Sequence, residues 1–386
     1  MRNACWLACF ALLVTAVILV AQPSSNQPIT AQIGSIFSAL IQPRDPGAAV
    51  LVKKEGKILF EAGYGVRDLR SRAKIDPQTN FRLASVTKQF TAMAVMLLVH
   101  DGKLHYDDRL NSIFPDFPPY GRDITIRNLL NHTSGLADYE DLMTVQAKNG
   151  GPSWSIERQI QDDQVLALLK AEPSGKFAPG TRWEYSNSGY VLLGLIVAKV
   201  SGMPYREFLR RRIFVPLRMT NTLVYQKSIN TVPRRAYGHS RENGQLAETD
   251  QSPTSATLGD GGVYSNLVDM GKWDEGLAKR TLLSDAEMQP ALTPVELADG
   301  SQPQWPREPA SGNSGKPLSY GFGWFLDPYQ GHARNYHDGG TQGFRTTIQR
   351  FVDDHFTMMV LANRTDLDPD KLALQIADLL LSSPAR

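Results

Sequence analysis

After Lys88 the chain runs Gln-Phe-Thr-Ala-Met-Ala-Val-Met-Leu-Leu-Val and reaches Gly102 within a few residues. That is about four helical turns at 3.6 residues per turn, almost without a polar side. A helix apolar on every side has to be covered on every side, so it belongs in a core that the rest of the chain supplies. Just before it stand Ser85 and Lys88, in Phe81-Arg-Leu-Ala-Ser-Val-Thr-Lys88. Positions i and i+3 share a helix face, so both side chains point the same way at the start of a desolvated helix. A serine alcohol is a poor nucleophile at neutral pH and needs a base within hydrogen-bond reach. Burial disfavours the charged form of a lysine, which suits Lys88 to accept a proton. Alone, Ser-x-x-Lys recurs by chance about once in a chain this long. It then reads more simply as a capping serine beside a lysine that snorkels to water.

The 386 residues are enough for a sizeable core, or about two domains at roughly 150 residues each. The net charge of +2 gives no general electrostatic case for nucleic acid. Arg210-Arg-Arg212 and Arg234-Arg235 read as solvated surface. At the N-terminus Arg2 precedes an uncharged apolar run from Ala4 to Ala21, followed by Gln22-Pro-Ser-Ser. Residues 1–26 are therefore expected to be an export signal. Leu19 is large where a small residue is preferred before cleavage, and the run is near the ~20 residues that span a bilayer. An uncleaved signal-anchor is the alternative, and the only membrane contact expected. Either way the folded part is expected outside the cytoplasm, periplasmic or secreted. Both cysteines, Cys5 and Cys9, lie inside this segment, so the folded region has no disulfide, cysteine nucleophile or thiolate metal site.

Thr30 is a candidate cap for a first helix, with Ile33, Ile36, Phe37, Leu40 and Ile41 forming one apolar stripe. Ala49–Lys53 and Lys57–Glu61 around Glu55-Gly56 predict a hairpin. Residues 100–250 look mainly helical with long loops. Helices are expected over Ile126–Asn131, Asp163–Lys170, Ser188–Val200, Pro204–Phe214 and Asn266–Leu277, with Gly102, Gly135 and Gly202 as stops. The stretch 296–320, rich in Pro, Gly and Ser, is expected to be an extended loop. Strands return at Gly323–Leu326, Phe344–Phe351 and Phe356–Ala362, with Asp353-Asp354-His355 as a turn, and Asp370–Leu381 closes the chain as a helix. The expected fold is α/β of the α+β kind. An antiparallel sheet flanked by helices is built from both chain ends (27–84 and 250–386), beside a mainly helical inserted part (85–249). The cleft between such parts is where a ligand would sit.

Two further clusters carry chemistry. Pro179-Gly-Thr-Arg-Trp-Glu-Tyr-Ser-Asn187 stands immediately before a helix. Tyr185 can relay a proton there, and the Asn187 amide can hold a substrate carbonyl; the simpler reading is that Ser186 or Asn187 caps the helix. Tyr264-Ser-Asn266 precedes another helix start, so the tripeptide alone decides nothing. Near the C-terminus, Tyr336-His-Asp-Gly-Gly-Thr-Gln-Gly-Phe344 has two adjacent glycines. In a strand these let another backbone approach closely, and such a strand can present an N–H to a developing oxyanion. The simpler reading is a bulge or tight turn. The seven histidines form no His-x-His or His-Glu-x-x-His pattern. Gly-x-Ser-x-Gly is absent, which argues against an α/β-hydrolase.

Together the clusters resemble the serine β-lactamase and penicillin-recognising hydrolases, in the branch of class C β-lactamases, D,D-peptidases and related esterases. That family has Ser-x-x-Lys, Tyr-x-Asn and a Lys- or His-x-Gly strand in this order; here they are Ser85-Val-Thr-Lys88, Tyr185-Ser-Asn187 and His337-Asp-Gly339. Leu130-Asn-His-Thr-Ser-Gly-Leu136, Ile213-Phe-Val-Pro-Leu-Arg-Met219 and Gly261-Gly-Val-Tyr-Ser265 also fit it, the last assigning Tyr264 to a structural box. The resemblance covers residues 30–381 as one catalytic domain. It implies acyl transfer through a Ser85 ester on a small-molecule or peptide substrate with an ester or amide carbonyl. Lys88 and Tyr185 would move the proton, the Ser85 and Gly340 N–H groups would form the oxyanion hole, and Asn187, His337 and Gly339 would bind substrate. No cofactor or metal is implied.

The third motif departs from the β-lactamase pattern. Where those enzymes carry a lysine that attracts the substrate carboxylate, His337 is largely neutral near pH 7.5, and Asp338 brings a negative charge unless it points away. The expected activity is ester or amide hydrolysis with weak or no β-lactamase action. A D,D-peptidase or D-amino-acid peptidase, a true class C-like β-lactamase, and an acylated sensor or non-catalytic binding protein are the alternatives.

Overall fold

The computed structural model describes residues 27–305 and 315–382; the N-terminal apolar run with its two cysteines, and part of the 296–320 stretch, lie outside these. Helix α1 (Ile29–Ser38) leads into strands β1 (Ala48–Lys54) and β2 (Lys57–Tyr64). The hairpin turns through Glu55 and Gly56, both left-handed at φ 51° and 72°, the two-residue turn whose twist matches the flanking strands. Near the other end of the chain come β8 (Arg334–Thr341), β9 (Phe344–Phe351), β10 (Phe356–Ala362) and the last helix, Pro369–Leu381. The two ends join: β1 pairs antiparallel with β10, from Ala48 opposite Ala362 to Lys54 opposite Phe356, and the sheet order is β2-β1-β10-β9-β8.

The sheet separates two cores by its pleat. Val50, Val52, Met358 and Val360 face α1 and the last helix, meeting Ile33, Phe37 and Ile376. Ala49, Leu51, Met359 and Leu361 face the opposite way, into a larger core around α2 (Thr87–His100). Every residue of α2 from Thr87 to Leu98 is buried, as an all-round apolar helix requires. Against it pack the helices Asn187–Ser201 and Leu267–Ala278, with Phe90 edging onto Trp273 at 4.5 Å between ring centres. A small sheet of β3 (Phe81–Arg82), β7 (Val263–Ser265) and β4 (Leu223–Val224) lies beside the start of α2.

The expected mixed fold with its antiparallel sheet and flanking helices is present, and several local readings are corrected. Thr30 lies inside α1, which starts after Pro28. Gly323–Leu326 is no strand: Phe325 alone pairs, through isolated bridges to Tyr320 and Tyr336. Gly323 turns at φ 74° hard against the backbone of Lys88 and Gln89, which breaks the extended run. Tyr139–Lys148, outside the helices expected from sequence, is a helix whose N-cap Asp138 accepts from the Glu140 N–H at 3.0 Å. A short hairpin, β5 (His239–Glu242) and β6 (Gln245–Glu248), interrupts the mainly helical middle. No helix of the described residues is long and apolar enough to cross a membrane.

Candidate active site

From Phe81 to Leu98 every residue is buried except Ser85. The exception has a local cause. Ala84 is held at φ 49°, a conformation that non-glycine residues seldom adopt, and a 3₁₀ turn over Ala84–Val86 precedes α2. Ser85 therefore sits on a tight turn before the helix rather than as its first residue, and the turn lifts its side chain out of the core. Such strain persists only where the surroundings enforce it. Here they do: Leu83 O accepts from Thr346 Oγ1 on β9 at 2.8 Å, and the Leu83 N–H donates to Val263 O on β7 at 2.9 Å.

One turn on, Lys88 is completely buried, and its Nζ donates to Ser85 Oγ at 3.1 Å, Asn187 Oδ1 at 2.9 Å and Asp260 O at 3.2 Å. The rings of Tyr185 and Tyr190 lie 4.8 and 5.5 Å from it. Ser186 caps the Asn187–Ser201 helix, accepting from the Gly189 N–H at 3.4 Å, which leaves the Asn187 side chain free to hold Lys88. The Asn187 N–H is itself held by Asp138 Oδ2 at 2.8 Å. Tyr185 is half-buried beside Lys88, and among the described residues no hydrogen bond joins its hydroxyl to Ser85 or Lys88.

β8 forms the other wall, at the sheet edge. Tyr336 exchanges both main-chain bonds with Phe325, away from β9. Strand groups alternate with period two, so the Asp338 and Gly340 main-chain groups also point away from β9 while His337 and Gly339 bond to it. Gly340 faces the cleft that holds Ser85 and Asn187. Side chains alternate as well. A Cβ on Gly339 would run into the Leu83 carbonyl oxygen and Thr346 Oγ1, so only glycine lets β8 pass this close to the Ser85 turn. Asp338 points to the other face, where its Oδ1 accepts from Thr347 Oγ1 at 2.6 Å. Burial, and then the nearby Asp370 carboxylate, push Asp338 up to about 7. Its charge is not in the Ser85 cleft.

Under Tyr185 lies a chain of buried hydrogen bonds that the motifs did not announce. The Ser186 N–H donates to His132 Nδ1 at 3.2 Å, which places the His132 proton on Nε2. Nε2 then donates to Tyr320 Oη at 3.1 Å, Tyr320 donates to His337 Nε2 at 3.3 Å, and His337 Nδ1 donates to Asp338 O at 2.7 Å. Both imidazoles are neutral: burial, and then the charge of Lys88, hold His132 well below its ordinary value and His337 down to about 3. His132 stacks 4.4 Å from the Tyr185 ring centre and sets its position. The signal for His132 lay in Leu130-Asn-His-Thr-Ser-Gly, which sequence reasoning used as a family phrase but gave no role.

Of the seven residues singled out by sequence, Ser85, Lys88 and Asn187 are hydrogen-bonded together, with Tyr185 and Gly340 around them; His337 and Gly339 stand behind, shaping the wall.

A family model described as Beta-lactamase matches residues 35–381. The chain is 32% identical over 362 residues to penicillin-binding protein 4* of Bacillus subtilis (strain 168), covering 90% of this chain and 75% of that one. Among solved structures it resembles the octameric penicillin-binding protein homologue from Pyrococcus abyssi, with a TM-score of 0.76 and 26% identity, covering 92% of this chain and 77% of that one. It also resembles a D-amino acid amidase from Ochrobactrum anthropi SV3, with a TM-score of 0.73 over 92% and 97% of the two chains; at 24% identity this speaks to the fold alone. The family match runs from within α1 to the end of the last helix and so takes in the sheet, the helices packed on it and the Ser85 cleft: the chain is an enzyme of the beta-lactamase family, a serine hydrolase related to the penicillin-binding proteins.

Proposed function

We propose that this enzyme cleaves esters or amides by acyl transfer through Ser85, and that it acts outside the cytoplasm. The observation that carries the chemistry is the Lys88 Nζ at 3.1 Å from the Oγ of Ser85, the one partly exposed residue of an otherwise buried run. Ser85 Oγ attacks the carbonyl carbon. Its proton moves through the Lys88–Tyr185 pair to the leaving alcohol or amine, whose bond to the acyl carbon breaks as the serine ester forms. The N–H groups of Ser85 and Gly340 carry the oxyanion, worth about 3–4 kcal/mol per donor in such sites. Water then attacks the ester and returns Ser85 to the alcohol.

β-Lactam turnover is weak in this reading. His337 occupies the place of the family's lysine, and a buried neutral imidazole offers no fixed charge to a substrate carboxylate. Export rests on the apolar run Ala4–Ala21 behind Arg2. The test is hydrolysis of a 4-nitrophenyl ester and a chromogenic cephalosporin side by side, by the protein and by Ser85→Ala. Ester cleavage lost in the variant, with little cephalosporin turnover, is expected. Rapid Ser85-dependent cephalosporin turnover would overturn the weak-lactamase part.

A D,D-peptidase acting on cell-wall peptides is the second reading, favoured by the likeness to penicillin-binding protein 4*. Release of D-alanine from a D-Ala-D-Ala peptide separates it from the first.

A further inference from the structure

Tyr320 belongs to none of the three motifs, yet its hydroxyl joins the segment that carries Tyr185 to the strand that carries Gly340. The ring is completely buried, and the main chain is pinned by Val295, whose N–H donates to Tyr320 O at 2.9 Å. On one side Tyr320 Oη accepts from His132 Nε2 at 3.1 Å; on the other it donates to His337 Nε2 at 3.3 Å. Tyr320 does not line the Ser85 cleft. Whatever it does for the reaction, it does through the two histidines.

His132 clamps Tyr185 at three points. Its carbonyl accepts from the Glu184 N–H at 3.0 Å, its Nδ1 accepts from the Ser186 N–H at 3.2 Å, and its ring lies on the Tyr185 ring between them. This grip needs His132 at φ 64°, where a non-glycine residue stays only if its surroundings hold it. His337 braces β8 in the same manner. Its Nδ1 donates to Asp338 O at 2.7 Å, a carbonyl on the same strand edge as the Gly340 N–H. Both imidazoles are neutral, so the brace fixes geometry without setting a second positive charge beside Lys88.

Neither histidine can make up for a lost Tyr320 bond by changing tautomer. The Ser186 N–H keeps the proton off His132 Nδ1, and Asp338 O keeps a proton on His337 Nδ1. Between a fixed donor and a fixed acceptor, a hydroxyl satisfies both. Phenylalanine at 320 would keep the ring and strand a buried donor and a buried acceptor. The Tyr190 ring packs 5.2 Å from His132, but its hydroxyl donates to Leu130 O at 2.7 Å. We propose that Tyr320 is a positioning residue for the Ser85 reaction, its hydroxyl holding Tyr185 and the Gly340 oxyanion donor in register with each other. The inference rests on the Ser85 hydrolase reading.

The test follows kcat and KM for 4-nitrophenyl butyrate with the wild type, Tyr320→Phe, Tyr185→Phe and the double variant. Ser85→Ala is the blank, and urea unfolding checks that each variant is folded. Tyr320→Phe is expected to lower kcat about ten-fold or more, with KM within about three-fold of wild type. On the Tyr185→Phe background it is expected to cost no more than about a third of that factor, because the hydroxyl it would misplace is already gone. A folded Tyr320→Phe with kcat within about three-fold of wild type overturns the positioning role. So does an equal loss on both backgrounds, or a rise in KM at constant kcat; each leaves the hydrolase reading standing. No Ser85-dependent cleavage by the wild type, of this ester or of a D-Ala-D-Ala peptide, overturns both. Should Tyr320→Phe fail to fold, His132→Asn cuts the chain at the same bond. Asparagine tolerates the left-handed backbone and accepts from the Ser186 N–H, but is too short to reach Tyr320. The same fall in kcat at constant KM, shrinking on the Tyr185→Phe background, is then required of it.

Discussion

Asn187 Oδ1 accepts a hydrogen bond from Lys88 Nζ at 2.9 Å, across 99 residues of chain. The bond ties the start of one buried helix to the start of another and aims the lysine at Ser85. Asn187→Ala would leave Lys88 with Ser85 Oγ and Asp260 O as its acceptors, free to turn from the serine. We expect kcat on a 4-nitrophenyl ester to fall about 10²-fold, and Lys88→Ala to cost about 10²- to 10⁴-fold, the range for a positioned proton-transfer group. An Asn187→Ala enzyme within roughly two-fold of wild type in kcat would sink the idea that this amide positions the lysine.

The two glycines of β8 are predicted to part company. Alanine at 339 would collide with the Leu83 carbonyl, which cannot move without moving the Ser85 turn. Alanine at 340 has nothing closer than the Arg345 side chain at 3.7 Å. Gly339→Ala should lose about 1–3 kcal/mol of unfolding free energy in urea, and Gly340→Ala less than roughly 0.5 kcal/mol. Equal losses would contradict this account of the close approach.

Asp338 sets a pH dependence of stability. Its folded-state pKa is raised to about 7, above the ordinary carboxyl value. Its favourable contribution is therefore fully present below about pH 4 and is lost as pH rises through about 7. Asp338→Asn keeps an acceptor for Thr347 and removes the titration. The melting temperature of the variant should gain on wild type as pH is raised from about 4 to about 8. A constant difference across that window would show that Asp338 ionises as readily in the folded protein as in the unfolded one.

Asp274 gathers the Leu267–Ala278 helix onto the sheet. Its carboxylate accepts from Lys53 Nζ and Arg350 Nε, both at 2.9 Å, and from Thr357 Oγ1 at 2.8 Å. Burial raises the carboxyl, but Arg350 and Lys53 outweigh it and hold the group below its ordinary value. Asp274→Ala would leave two buried cations unpaired, and about 3–5 kcal/mol of unfolding free energy should go with it. A loss under about 1 kcal/mol, by urea titration, would mean that Lys53 and Arg350 find water instead.

What could be read in the sequence, and what could not, divides by the range of the cause. The apolar run after Lys88 specified a buried helix because no other environment suits it. Glu55-Gly56 specified a hairpin because the turn type asks for left-handed residues there. The nucleophile's neighbours Lys88 and Asn187 were legible through residue type and spacing. The direction of Asp338 was not, since it depends on which face of β8 meets the Ser85 turn. The His132–Tyr320–His337 chain joins three distant segments, and although His132 and His337 each stand in a local phrase, neither phrase announces the bond through Tyr320. The helix Tyr139–Lys148 has no clear period in the sequence because its polar residues hide it: among its ten residues only Tyr139 and Leu142 are buried.

The pairing of Ala48 with Ala362 has a consequence in time. A sheet that pairs Ala48 with Ala362 cannot close until the chain has been synthesised through β10, and contacts of such long sequence separation fold slowly. The strained turn at Ala84 leans on Thr346 of the last-made strands. The serine thus acquires its reactive geometry only at the end of folding, and an incomplete chain carries Ser85 and Lys88 without the frame that sets them against each other.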